Sequence, residues 1–286
     1  MLKKISLLAL MGIALVQVQA QTDTTKAPET AADTMQIGNI IILKNGSSPG
    51  GGNRDELTIN IHRRHWDYPS NVTTNWLSLD LGFNGFSDQT NYSGLTSGYG
   101  AGTNKELFDL RNGKSVNVNI WFVMQRLNLI KHVVNLKYGL GLELNNYRYD
   151  SDVKFDHKPA TVYDDLTHDY TKNKLAADYL TIPVMINFNF TPRRNPLRSI
   201  GFSAGIAGSY LYSSRHKFIT REDGKEKTKG NLGLNALKYA WVGEVKLGPI
   251  SVYGNYSPES MFKNGLDHRP WAVGLRLPLD MDGVSY

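Results

Sequence analysis

The sequence predicts an all-β fold: an eight-stranded antiparallel up-and-down transmembrane β-barrel behind a short periplasmic N-terminal extension. Three observations predict it. Eight segments carry apolar residues at every second position. The connections between them alternate strictly between short and long. The face opposite the apolar one is built from small and polar residues. Alternation of period two separates two faces of a strand, whereas a helix with the same pattern would spread its apolar residues around its whole circumference.

Met1-Leu2-Lys3-Lys4 is a short positive segment, residues 5–16 are apolar, and Val18 and Ala20 are small residues before Gln21. This predicts a signal peptide over 1–20, since the apolar run is too short to cross a bilayer as a helix. The chain has no cysteine to acylate, to form a disulfide, to act as a thiolate nucleophile or to bind a metal. The formal charge of +6 lies partly in the signal peptide and the short turns, so no nucleic-acid partner is predicted. Negative mean hydropathy is compatible with a barrel, because half of each strand faces a polar lumen. Residues 21–34 are Thr, Ala, Asp, Glu and Pro without apolar periodicity, a linker composition. One small strand is expected over 37–43, and 58–62 alternates weakly. Residues 21–72 therefore read as periplasmic linker and extension, and 73–286 as barrel.

The first barrel segment sets Leu77, Leu79, Leu81 and Phe83 against Trp76, Ser78, Asp80 and Gly82. The second sets Val116, Val118, Ile120, Phe122 and Met124 against Asn117, Asn119, Trp121 and Gln125. In the third, Val134, Leu136, Tyr138, Leu140, Leu142 and Leu144 oppose Asn135, Lys137, Gly139, Gly141, Glu143 and Asn145. The fourth runs from Leu180 to Phe190, with Thr181, Pro183, Met185, Asn187 and Asn189 on the other face. Phe202, Ile206, Tyr210 and Tyr212 mark the fifth, and Leu237, Tyr239, Trp241, Val245 and Leu247 the sixth. The seventh carries Ile250, Val252 and Tyr256. The eighth carries Trp271, Val273, Leu275 and Leu277.

The connections 128–131, 191–198 and 248–249 are short. Those at 87–114, 150–173, 213–235 and 257–268 are long and read as polar. An outer-membrane barrel has short periplasmic turns and long outer loops. A lipocalin-like barrel shares the strand count but points its apolar face inward. Side-chain volume separates the two, because an eight-stranded interior is only just wide enough to be filled. Here the small set, including Gly139, Gly141, Gly201, Ser203, Gly205, Ala207 and Gly274, fits inside. The bulky set fits lipid, with Tyr138, Tyr210, Tyr212, Tyr239, Trp241, Tyr256 and Trp271 available for interfacial girdles. The predicted location is the outer membrane of a Gram-negative bacterium.

The motifs DLGF at 80–83, SVNVNI at 115–120, YGLGLELNNY at 138–147, KNKLAADYLTIPVMINF at 172–188 and YGNYSPESMF at 253–262 carry a resemblance. Over about residues 74–280 the chain resembles the outer-membrane β-barrel proteins of the Bacteroidetes, the broad group that includes PorT-like barrels. The resemblance implies the fold and the outer membrane, and no activity. One departure is that Leu277-Pro278-Leu279 is followed by a tail ending in Tyr286, where such barrels commonly finish their last strand on an aromatic residue.

Asp80, Lys137, Glu143, Lys238, Glu244, Lys246 and Arg276 fall at inward positions. Buried charges must be paired, so these predict a lumen network, with Arg276 neutralised by Asp80, by Glu143 or by both. It reads as a plug or as an ion path, and the narrow bore favours the plug. His62, Arg63, Arg64 and His65 beside Trp66 read as a periplasmic contact for an anionic partner or lipid head groups, or as a solvated basic turn. Ser213, Ser214 and His216, with Lys217 adjacent, are the residue types of a Ser–His hydrolase or acyltransferase. They lack a G-x-S-x-G elbow, and sequential crowding is not triad geometry. Asp164, Asp165 and Asp169 match no calcium-loop spacing, and no phosphate or dinucleotide fingerprint occurs. No cofactor and no metal are predicted. The expected protein is a non-enzymatic, structural or interaction-mediating barrel in outer-membrane lipid, with a periplasmic protein partner as the further expectation. A lipid-modifying enzyme and a narrow pore are the alternatives.

Overall fold

The computed structural model describes residues 33–37, 40–44, 58–60 and 70–278, apart from 112, 193–197 and 223. It divides into two units, 1–65 and 66–286. In the first, strands β1 (Asp33–Ile37), β2 (Ile40–Lys44) and β3 (Thr58–Asn60) form an antiparallel sheet, with Ile37 opposite Ile40. The single strand expected over 37–43 is thus divided between the end of β1 and the paired strand β2. The signal peptide and the cluster from His62, Arg63 and Arg64 to His65 and Trp66 lie outside the described residues.

The second unit holds β4 (Val72–Asp88), β5 (Val116–Ile130), β6 (Val134–Tyr149), β7 (Val153–His157), β8 (Ala160–Asp164), β9 (Tyr170–Asn189), β10 (Ile200–Thr220), β11 (Lys225–Lys229), β12 (Leu237–Leu247), β13 (Ile250–Tyr256) and β14 (His268–Pro278). Eight of these pair in the cyclic order β4-β5-β6-β9-β10-β12-β13-β14. The β14–β4 ladder, from His268 opposite Asp88 to Pro278 opposite Ser78, closes the ring. Closure leaves no free edge in the wall. The predicted eight-stranded antiparallel barrel is the observed fold. Its turn between β5 and β6 uses positive φ at Lys131 and His132, the backbone that matches strand twist in a tight hairpin.

The apolar set points outward as predicted, with Leu81, Phe83, Ile182, Val184, Ile206, Val245, Val273 and Leu275 all exposed. Two residues depart from strict alternation. Leu77 has φ 59°, and Phe122 is an extra residue between the pairs Trp121–Gly141 and Val123–Leu140. A bulge of one residue exchanges the faces of a strand beyond it. Trp76, expected inside, is consequently exposed, and Met124, expected toward lipid, is 4% exposed inside the barrel.

The long connections are folded, and this corrects their reading as polar loops. β9 and β10 contain 20 and 21 residues, about twice what crossing a bilayer requires. Beyond Leu180 and Tyr212 they continue with the opposite chemistry. Leu175, Ala177, Tyr179, His216 and Phe218 turn inward, and Lys172, Lys174, Arg215 and Lys217 outward. With the β7–β8 hairpin, β11 and two short 3₁₀ turns, these extensions form a cap on the long-loop end. Its core includes Phe108, Tyr147, Tyr149, Phe155, Leu175, Leu232 and Phe262.

Candidate functional site

The lumen is the most highly organised polar region of the described residues. Its side chains come from inward positions of all eight barrel strands, and glycine makes the room. Gly82 and Gly274 face each other across the closing ladder. A Cβ on Gly82 would meet the Tyr253 hydroxyl at 2.7 Å and the Gly274 Cα at 2.8 Å, so bare backbone here lets Tyr253 lie across the seam. Tyr253 donates to Asn117 Oδ1 at 2.5 Å.

Arg276 is the hub. Its Nε and Nη2 donate to the two oxygens of Asp80 at 2.7 and 2.8 Å, and its Nη1 donates to Glu244 Oε2 at 2.5 Å. A guanidinium matches a carboxylate bidentately, which fixes geometry as well as charge. Its plane also lies over Trp121, with the guanidinium carbon 5.1 Å from the ring centroid. Trp121 Nε1 and Asn119 Nδ2 donate to Asp80 Oδ2 at 2.7 and 3.1 Å. Lys137 donates to both Glu244 oxygens, at 2.7 and 2.6 Å. A second centre is Glu143, which accepts from Lys238 Nζ at 2.6 Å, Asn145 Nδ2 at 2.9 Å and Thr181 Oγ1 at 3.2 Å. Asn117 joins the centres by donating to Asn145 Oδ1 and Asn119 Oδ1 at 2.9 and 3.1 Å. Three carboxylates thus meet three cations, and the network is formally neutral.

Six of the seven charged residues predicted to face the lumen, Asp80, Lys137, Glu143, Lys238, Glu244 and Arg276, are buried or half-buried in this arrangement. The second partner of Arg276 is Glu244 rather than Glu143, because Lys238 occupies Glu143. Lys246 makes no ion pair among the described residues; it lies at the turn end, in the electrostatic field of Arg126, Lys137 and Glu244. The asparagine ladder was missed, although its signal is visible as Asn117, Asn119, Asn135 and Asn145 at alternate positions. Toward the turn end, Trp121, Met124 and Met185 pack together, beside a void of about 30 Å³. That is room for about one water.

The Ser and His residues of the rim do not come together as a nucleophile and base. His216 is fully buried. Its Nδ1 accepts from the Phe155 backbone N–H at 3.5 Å, which leaves Nε2 to donate to Asn173 Oδ1 at 2.6 Å. Ser214 donates instead to the Gly230 carbonyl at 2.6 Å. The His216 contacts tie the β7 hairpin and β9 to β10, and the Ser214 contact ties β10 to the residue after β11. Asp165 is likewise internal to the cap, accepting from Tyr170 Oη at 2.6 Å and Thr167 Oγ1 at 2.5 Å. Burial pushes its carboxyl up, but the hydrogen bonds from Thr167, Tyr170 and His168 outweigh that and hold it well below the usual carboxylate range. No group of three or more His, Asp or Glu among the described residues is arranged to hold a metal ion.

The family described as outer membrane protein beta-barrel domain matches residues 74–263. A comparison with curated proteins finds no match. Among solved structures, Ail, the attachment invasion locus protein of Yersinia pestis, is similar at 10% identity and a TM-score of 0.30. The match covers 72% of this chain and 99% of that one.

Proposed function

We propose that this chain, which belongs to the outer membrane protein beta-barrel domain family, is a non-enzymatic and non-conducting scaffold whose folded cap is its working surface. The observation that carries this reading is the neutral network centred on Arg276, which fills the bore with paired charges. An ion crossing it would have to break the bidentate Arg276–Asp80 pair. The cap core closes the long-loop end above the network. By the usual polarity of such barrels the short turns face the periplasm, the cap faces outside, and residues 21–72 meet periplasmic partners. Export by a signal peptide cleaved after Ala20 and kinship with the Bacteroidetes barrels belong to the same reading. They rest on the motifs at 1–20 and 172–188. The engagement of His216 with Asn173 weighs against a lipid-modifying enzyme built on Ser213 or Ser214.

The test is reconstitution of the purified protein in planar bilayers. The expected trace is flat across the physiological voltage range. Reproducible unitary steps from the wild-type protein would replace the scaffold reading with a pore.

A further inference from the structure

The outward face of the cap, just above the lipid-facing belt, carries rows of like charge. In the antiparallel register, Arg148 of β6 is opposite Lys174 of β9, Lys174 is opposite Lys217 of β10, and Lys217 is opposite Lys227 of β11. One ladder row therefore presents four cations side by side on four adjacent strands. The row nearer the membrane contains Arg215 opposite Lys229, and the row farther away contains Lys172 and Lys225, both opposite Ile219. Lys174 feels the charges of Lys217, Lys172 and Arg215, and Lys227 those of Lys229, Lys217 and Arg215.

Like charges directly opposite one another destabilise a sheet, so a row of four is a standing cost unless an anion covers it. Among the described residues, Asp178 is the one carboxylate that pairs with a cation of this face, to Arg215. The Nε–H groups of Arg148 and Arg215 are buried without a hydrogen-bond partner. The opposite face of the same strands is already occupied, by His216 and Phe218 packed on the cap hairpin and Tyr170.

Height above the membrane selects the ligand. Tyr210 and Tyr212 are the last exposed aromatics on β10, and Arg215 follows three residues later. At about 3.4 Å per residue and a tilt of about 40°, the Arg215 row sits roughly 8 Å above the girdle and the Lys217 row roughly 13 Å above it. Simple phospholipid head groups end within about 8 Å of the hydrocarbon. We infer that this basic face binds the phosphates of a phosphorylated glycolipid in the outer leaflet, whose head group rises through both rows. The inference rests on the long-loop end facing outside, and not on whether the lumen conducts.

The experiment uses the full-length mature protein in nanodiscs of zwitterionic phospholipid doped with bisphosphorylated lipid A, with retained lipid counted by native mass spectrometry. The Lys174→Gln/Lys217→Gln/Lys227→Gln variant is compared with the wild type and with Lys263→Gln/Arg269→Gln, which removes charge from the connection before β14 and from the start of β14. Folding of each is checked by its unboiled gel mobility. At about fivefold per juxtamembrane charge, the triple variant should lose on the order of a hundredfold in lipid A retention at low salt, and the control variant little. Fully dephosphorylated lipid A should bind the wild type as weakly as bisphosphorylated lipid A binds the triple variant. Equal retention of the two lipids by the wild type, or unchanged retention by a folded triple variant, would overturn the inference. So would displacement by inorganic pyrophosphate at concentrations comparable to lipid A, which would mark a soluble-anion site. A topology assay with protease outside intact cells separates failure of this site from failure of the orientation beneath it.

Discussion

Arg276 is held by two carboxylates on different strands, and truncating it strands both. Removing one partner of a buried pair costs about 3–5 kcal/mol, because the remaining charge stays desolvated. Arg276→Ala should therefore lower the unfolding free energy by an amount in that range, measured by urea titration in detergent or lipid. Asp80→Asn in the same background should recover part of the loss, so the double-mutant cycle should give a coupling well above its error. The cycle of Arg276 with Glu143 should give a smaller coupling than the cycle with Asp80, since Glu143 is held directly by Lys238 and reaches Arg276 only through the asparagines. Strong coupling to Glu143 with none to Asp80 would show that the network is wired differently. At this scale the sequence exposed which residues enter the lumen, because charge at an inward position of a strand is conspicuous. It did not expose who pairs with whom. Asp80 followed from the β14–β4 closure, but the reach of Glu244 to Arg276 depends on side-chain geometry across three strands.

A single strand such as β9 records two environments. From Leu180 onward its outward residues are apolar and its inward ones small or polar. From Lys172 to Tyr179 the inward residues Leu175, Ala177 and Tyr179 are apolar, with Asn173 as the polar exception, and Lys172, Lys174 and Asp178 on the other face carry charge. The period of two persists while the polarity inverts, and the inversion marks where lipid ends. A search for alternation with a constant apolar face stops at the inversion, so it begins the fourth segment at Leu180 and leaves 174–179 outside it, although their periodicity is present. The two departures at Trp76 and Met124 have a different origin. A bulge changes register without any turn residue to announce it, as at Phe122, which sits amid ordinary strand formers. The face assignment itself is testable in the lipid-facing half. Val184 is exposed in the middle of the spanning part of β9, between Tyr138 and Ile206. Val184→Arg should cost about 2–4 kcal/mol in bilayers, the penalty for a cation near the midplane. A neutral outcome in the same folding assay would mean that this face does not meet hydrocarbon.

In the whole molecule a barrel wall and a cap share the strands β6, β9 and β10 but hold together by different means. The wall closes its backbone hydrogen bonds in a ring and faces lipid. The cap has a water-excluding aromatic core like that of a soluble domain. Phe155 illustrates the cap: it is fully buried, with ring centroids 5.6 Å from Tyr149, 5.2 Å from His216 and 6.2 Å from Phe262. It comes from the β7–β8 hairpin, which belongs to no barrel strand. Truncating a buried Phe typically costs about 3–5 kcal/mol. Because Phe155 touches the cap core and not the lumen network, the loss should fall on the cap. Phe155→Ala should open the connection between β6 and β9 to protease added outside intact cells. The barrel should still migrate as a compact species in unboiled SDS gels and shift on boiling, since its closed ladder is untouched. Loss of the compact band would mean that cap and wall unfold as one cooperative unit. Protease resistance equal to the wild type would mean that the hairpin is held by something other than this aromatic core.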